Sequence, residues 1–307
     1  MTSRDDNDEA PNGGVLNLPS AANEKKNEEP SIDYPMSDEL KNAAQHAATI
    51  ARLKFQGLER LLVPEAKSET ATVSFIEHNN KTYAVTARHV IQTFNNLATQ
   101  DGRQFEGYSC IQSPGVAILG PFITPPAQYP HPVPDIAICP VDNRLPAHIG
   151  KAAFEVRSQD DASWPISHAL AIGFPTVEKH DFKDQDGRQR LALPCVYAVA
   201  EGLQSSGSSD QAQFHSELSE LPTVVSLSGM SGGPVFWSDG SKYGLIGFIK
   251  EALDVTPKEG VETFYDEPKV NFICQRVDHG VIERWLQYVD ENWQIERDKI
   301  NLAIRNL

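Results

Sequence analysis

The string Gly229-Met230-Ser231-Gly232-Gly233-Pro234 is the part of this 307-residue chain best suited to chemistry. Its glycines let the backbone turn tightly and approach another molecule closely, which leaves Ser231 projecting as a nucleophile. In such a turn the amide N–H groups of Gly229 and Ser231 are placed to face an oxyanion forming on an attacked carbonyl. One donor of this kind is worth roughly a hundredfold to a thousandfold in rate. The same composition also makes an ordinary glycine-rich turn, so the string needs partners elsewhere. A serine hydroxyl near neutral pH requires a base, and the chain has 9 histidines. His89 stands out because it follows the strand-like run Tyr83-Ala84-Val85-Thr86-Ala87 and precedes Val90-Ile91, a strand end where side chains face clefts. A carboxylate that holds the imidazole tautomer and favours the imidazolium is best supplied by Asp135, which opens the apolar run Ile136-Ala137-Ile138. Taken alone, His89 has an ordinary reading as a packed structural histidine, and Asp135 as a strand-opening cap.

His89, Asp135 and Ser231 occur in that order. Their strings Thr86-Ala87-Arg88-His89-Val90, Asp135-Ile136-Ala137-Ile138 and Gly229 to Pro234 resemble the three signature strings of the chymotrypsin-like serine protease superfamily. Within it, the chain is most similar to cysteine-poor bacterial high-temperature-requirement (HtrA/Deg-like) peptidases. The supporting strings are Asp101-Gly102-Arg103-Gln104-Phe105, Ala171-Ile172-Gly173-Phe174-Pro175 and Tyr243-Gly244-Leu245-Ile246-Gly247-Phe248. The resemblance covers about residues 68 to 290 and leaves no room for a PDZ-like module. It implies an all-β, chymotrypsin-like fold of two six-stranded antiparallel barrels with the site in their crevice. It also implies a serine endopeptidase acting through an acyl-enzyme, with His89 as base, Asp135 orienting it, and the Gly229 and Ser231 amides as oxyanion hole. Neither a cofactor nor a metal is implied.

Several residues depart from that pattern. Met230 stands where trypsin-type zymogens carry an activating Asp, and Val90 where digestive relatives carry a disulfide Cys. Arg88 sits beside the base. Val225 occupies the place of the specificity-pocket Asp, so a preference for Lys or Arg at P1 is not expected and a small or apolar P1 is. Val225, Ile249 and Lys250 are the candidate pocket residues.

Two other functions compete. Gly229 to Gly233 also fits the Gly-x-Ser-x-Gly elbow of α/β-hydrolases, whose order Ser, acid, His would enlist His279 with Asp254 or Asp266. The short-strand texture lacks the strand and helix alternation that this fold requires. A protease-like barrel with an impaired site would instead serve as a peptide-binding or scaffold module, a role favoured by Arg88 and the Lys250-Glu251 wall.

The elements that must position these residues follow from texture. Residues 1–36 are acidic and poor in apolar side chains, which predicts a disordered tail. From Ser37, a candidate N-cap, the spacing of Leu40, Ala43, Ala47, Ile50, Leu53 and Leu61 predicts an amphipathic helix before Pro64, with helix and linker filling 37–67. Short β-type runs then continue, with barrel one over about 68–145 and barrel two over about 165–277. Asn79-Asn80 and Asp239-Gly240 mark tight turns, and residues 202–220 read as a mobile loop. Asp278 caps a C-terminal amphipathic helix over 278–307 carrying Ile282, Trp285, Leu286 and Val289.

Composition limits the partners. With 27 Lys and Arg against 42 Asp and Glu, the net charge of −15 speaks against a phosphate-coating nucleic-acid binder. No apolar run has bilayer length, and the acidic start lacks the apolar segment of a secretory signal. Cytoplasmic residence is therefore expected, with Cys110, Cys139, Cys195 and Cys274 as buried thiols. A protein or peptide is the expected substrate, and residues 1–67 are a candidate surface for a regulatory partner.

Overall fold

From Ala47 onward the chain is dominated by short runs whose alternate residues bury on opposite faces, and these become strands. The computed structural model describes residues 42–56, 59–61, 68–100, 107–112, 115–126, 133–183, 185–187, 189–203, 210–217, 227–239, 242–254 and 269–305. The first half comprises Ala47–Arg52 (β1), Lys54–Gln56 (β2), Glu59–Leu61 (β3), Thr70–His78 (β4), Lys81–Thr86 (β5), Tyr108–Gln112 (β6), Gly115–Leu119 (β7), Ala137–Val141 (β8) and Phe154–Glu155 (β9). The second comprises Ile166–Gly173 (β10), His180–Lys183 (β11), Gln189–Ala192 (β12), Val196–Leu203 (β13), Gln211–Glu217 (β14), Pro234–Ser238 (β15), Tyr243–Asp254 (β16) and Lys269–Arg276 (β17). Three α-helices interrupt or follow them: Arg88–Gln100 (α1), Leu145–His148 (α2) and His279–Arg305 (α3).

Two curled antiparallel sheets each run through six strands, ordered β7-β6-β1-β4-β5-β8 and β13-β10-β15-β16-β17-β14, while β2 pairs with β3 and β11 with β12 as separate hairpins. The first sheet also carries β9 in parallel against β4. An Ile123–Ile138 bridge brings the chain after β7 back to β8, and β13 lies beside β14, so both sheets curl towards closure. This is the expected all-β double-barrel architecture. It is not the parallel sheet of an α/β-hydrolase.

Three apolar clusters divide the work. Val73, Phe75, Ala84 and Tyr108 fill barrel one with Val90, Ile91 and Phe94 of α1, while Phe214, Met230, Trp237, Ile249 and Phe272 fill barrel two. The third joins them: Ile76 and Tyr83 from the first sheet meet Leu170, Ile172 and Phe236 from the second, sealed by Ile282, Trp285, Leu286 and Val289 of α3. As expected, Asp278 caps α3, its Oδ1 accepting the Val281 N–H at 2.7 Å. Lower down the helix, Trp293 Nε1 donates to Pro121 O at 3.2 Å. All four cysteines are free thiols, three of them buried. No helix among the described residues is long and apolar enough to cross a membrane.

Two expectations need correction. The helix expected from Ser37 to Leu61 gives way, within the described residues, to a single 3-10 turn at Ala43–His46 followed by β1, which pairs with β4 and β6. Ala47 packs into the shared cluster while Ala48 and Ile50 pack into barrel one. An alanine-rich strand covered on both faces mimics helical spacing, and the sheet pairing decides. The loop expected over 202–220 contains β14, paired with β17 and anchored by Phe214 stacking on Phe272 at 5.1 Å. The Asn79-Asn80 hairpin forms as expected, with φ of 50° and 59° at its two corners. Residues 1–41 and the Asp101 to Phe105 string lie outside the described residues.

Because Trp285 bridges α3 to both barrels and is 5% exposed, Trp285→Ala is expected to lower stability by about 3–5 kcal/mol. Urea denaturation reads this as a lower midpoint, and an unchanged midpoint would contradict the sealing role of α3.

Candidate active site

Strand β4 alternates hydroxyl and apolar residues, Thr70-Ala71-Thr72-Val73-Ser74-Phe75. The period of two sends Val73 and Phe75 into barrel one and turns the hydroxyls toward the loop that carries Ser231. Thr72 Oγ1 donates to Gly229 O at 2.8 Å and accepts the Phe174 N–H at 3.0 Å. The Thr72 N–H donates to Ser231 O at 3.1 Å, and Ser74 Oγ to Gly232 O at 2.7 Å. From the other side the Thr176 N–H donates to Ser228 O at 2.6 Å, while Thr176 Oγ1 donates to Thr70 O at 2.9 Å. Gly229 and Gly232 have φ of +101° and +89°. A side chain at Gly232 would run into Thr72 O and the Thr86 hydroxyl, so this close approach requires glycine.

His89 lies in the first turn of α1, two residues beyond the Ala87 that follows β5. The sequence reading placed it at a strand end; the structure adds that a helix starts there, with Val90, Ile91, Phe94 and Ala98 buried at helical intervals. Its Nδ1 is 2.7 Å from Asp135 Oδ2, and its backbone N–H donates to Asp135 Oδ1 at 3.0 Å. With Nδ1–H bonded to the carboxylate, Nε2 is left as the acceptor. Asp135 is 8% exposed. Burial alone would raise its pKa, but the side-chain and backbone hydrogen bonds from His89, together with the Arg88 charge, hold it below the ordinary value of 3.8. Arg88 Nε stands 4.0 Å from Asp135 Oδ1. Arg88 therefore forms a long ion pair with the acid.

His89, Asp135, Gly229, Ser231 and Lys250 line one cleft of about 630 Å³ between the two barrels. Ser231 Oγ donates to Lys250 O at 3.1 Å, and the described residues hold no hydrogen bond between it and His89. Neither the Gly229 nor the Ser231 N–H has an acceptor among the described residues. Ser228 O and Met230 O, the carbonyls of the same two peptides, are bonded to Thr176 N–H and Gly233 N–H. A planar trans peptide directs its N–H opposite its C=O, so both donors face away from those anchors.

Of the candidate pocket residues, Lys250 lines the cleft. Ile249 does not: its side chain is fully buried in barrel two, and its backbone is spent on Gly232 N–H and Gly233 O. Phe248 and Ile249 point to opposite faces of the sheet, Phe248 into the cluster shared by the barrels and Ile249 into barrel two, so both faces of the strand are covered here. Val225 lies outside the described residues. His279 does not line the cleft; its ring packs edge-on against His78, and its N–H donates to Asp161 Oδ1 at 2.8 Å. Asp254 ends β16, and Asp266 lies outside the described residues.

Sequence reasoning missed Gln275 of β17. Its Oε1 accepts the Asp135 N–H at 2.9 Å and its Nε2 donates to Asp210 O at 2.7 Å, so barrel two holds the acid of barrel one. A lone Gln near a strand end carries no local signature. Thr72 and Ser74 were missed too, although their alternation with apolar residues was visible.

The pKa of Asp135 sets a pH dependence. Because the folded carboxyl ionises below the unfolded one, its ionisation adds stability above about pH 3.8, and that share disappears as the pH falls through the folded value. The stability difference between the native protein and Asp135→Asn is therefore expected to be greater at neutral pH than in acid, narrowing as the pH falls below about 3.8. Denaturant titrations at several pH values measure it, and a pH-independent difference would contradict the paired carboxylate.

No protein-family model matches the chain, and no curated protein matches it. The two curled sheets are compatible with a chymotrypsin-like double-barrel fold.

Proposed function

We propose that this chain is a serine endopeptidase. The observation that carries the proposal is the His89–Asp135 pair, 2.7 Å between Nδ1 and the buried carboxylate's Oδ2, set in the same cleft as Ser231. Asp135 holds the imidazole with Nε2 unprotonated and stabilises the imidazolium that forms during reaction. Ser231 Oγ attacks the scissile carbonyl as His89 Nε2 takes its proton. The Gly229 and Ser231 N–H groups receive the negative charge on the carbonyl oxygen. His89 then protonates the leaving amine, the C–N bond breaks, and an acyl ester on Ser231 remains. A water delivers its proton to His89 and its oxygen to the ester, which releases the carboxylic acid and restores the hydroxyl.

In the resting geometry the hydroxyl points at Lys250 O, so the reaction begins with a rotation about χ1 of Ser231 towards His89. Hydrogen bonds of this kind are commonly loose without substrate and close in the reacting complex. That same resting contact favours the second reading, a protease-like module that binds peptides in the cleft without cleaving them.

A fluorophosphonate probe separates the two. The native protein is expected to be labelled at Ser231 and Ser231→Ala not at all. His89→Ala should slow labelling at least a hundredfold, the usual size of a general-base contribution. A folded native protein that stays unlabelled would overturn the endopeptidase and leave the binding module.

A further inference from the structure

We propose that Thr72 is a positioning residue of the Ser231 site: its one hydroxyl locks the loop that presents the Gly229 and Ser231 N–H groups to the cleft. The inference rests on the endopeptidase reading and adds to it a side chain from the opposite barrel. Thr72 is fully buried, and all of its hydrogen-bonding groups are engaged at the junction. Its N–H holds Ser231 O, its C=O accepts the Thr86 hydroxyl at 2.8 Å, and its Oγ1 bridges Gly229 O and the Phe174 N–H.

The bridge fixes two things at once. Gly229 lies at φ +101°, with no side chain of its own to restrict it, so the orientations of its flanking peptides depend on what their carbonyls bind. Thr72 Oγ1 fixes the peptide after Gly229 through its oxygen. The peptide before it is fixed by Thr176 N–H on Ser228 O. Thr176 follows Phe174-Pro175 directly, and Phe174 is held by the same Thr72 hydroxyl. One oxygen atom thus ties down both the loop and the segment against which the loop is clamped. Removing it frees Gly229 O and the Phe174 N–H together and lets the 228–229 peptide rotate, turning the Gly229 N–H out of the cleft.

A purely structural threonine would affect stability and leave the chemical step of the folded protein alone. A positioning residue affects kcat. Donors displaced by about 1 Å cost on the order of a hundredfold, so Thr72→Val is expected to lower kcat at least tenfold with a p-nitrophenyl ester, at a temperature where circular dichroism shows it folded. KM should change less than about threefold, because the cleft walls that bind the substrate are untouched. Thr72→Ser, which keeps the hydroxyl, should restore kcat to within about threefold of the native value. Should the valine variant not fold, Thr72→Ala carries the same test, since the space it leaves admits a water that satisfies the two backbone groups without fixing them. Unchanged kcat in the folded valine or alanine variant would overturn the inference while leaving the endopeptidase standing. A serine variant as slow as the valine one would also overturn it. A native protein inert to both the ester and the fluorophosphonate would remove the endopeptidase and this inference with it.

Discussion

The loop that carries Ser231 is packed against β4 of barrel one, where the bonds to its Gly229 and Gly232 carbonyls are buried, and a buried carbonyl without a partner costs roughly 1–3 kcal/mol. The junction meets this constraint with side chains rather than a ladder. Thr72 and Ser74 hold Gly229 O and Gly232 O, and the backbone of Thr72 and Thr176 holds Ser231 O and Ser228 O. Because the hydroxyls project from a central strand of barrel one, the loop inherits the rigidity of that sheet. The glycines are the counterpart: the close approach that makes these bonds short leaves no room for a side chain at Gly232.

The same logic runs in the opposite direction at the acid. Asp135 belongs to the first barrel, yet its N–H is held by Gln275 of the second. His89 and Arg88 then surround its carboxylate from the start of α1. Barrel one therefore clamps the Ser231 loop of barrel two, and barrel two clamps Asp135 of barrel one. A small slip between barrels would loosen both clamps together, and the shared apolar cluster under α3 resists that slip. Arg88, which the sequence presents as a disturbance beside the base, contributes to keeping Asp135 ionised.

Much of this was legible in the residues. The short strands, the Asn79-Asn80 turn, the cap at Asp278 and the stripe Ile282, Trp285, Leu286 and Val289 each state their conformation locally, and the structure follows them. The three strings around His89, Asp135 and Ser231 pointed to side chains that do line one cleft. What failed were features decided by distant partners. The Ala-rich β1 reads as a helix until β4 and β6 flank it, and β14 reads as a loop until β17 pairs with it. Ile249 reads as a cleft wall until its pairing with Cys274 of β17 sets its side chain on the barrel-two face. The alternation in Thr70 to Phe75 announces a two-faced strand, but nothing in it says that the hydroxyl face meets Ser231.

The claim at the centre is that Ser231, His89 and the Gly229 and Ser231 amides act on one carbonyl. The crystal structure of the protein soaked with a peptidyl boronic acid tests it most directly. A covalent bond from Ser231 Oγ to boron is expected, with one boron oxygen within hydrogen-bond distance of the Gly229 and Ser231 N–H groups and His89 Nε2 on the other side. A boronate bound in the cleft without that bond, or with its oxygens turned from both amides, would rule out Ser231 as the nucleophile served by this pair of donors.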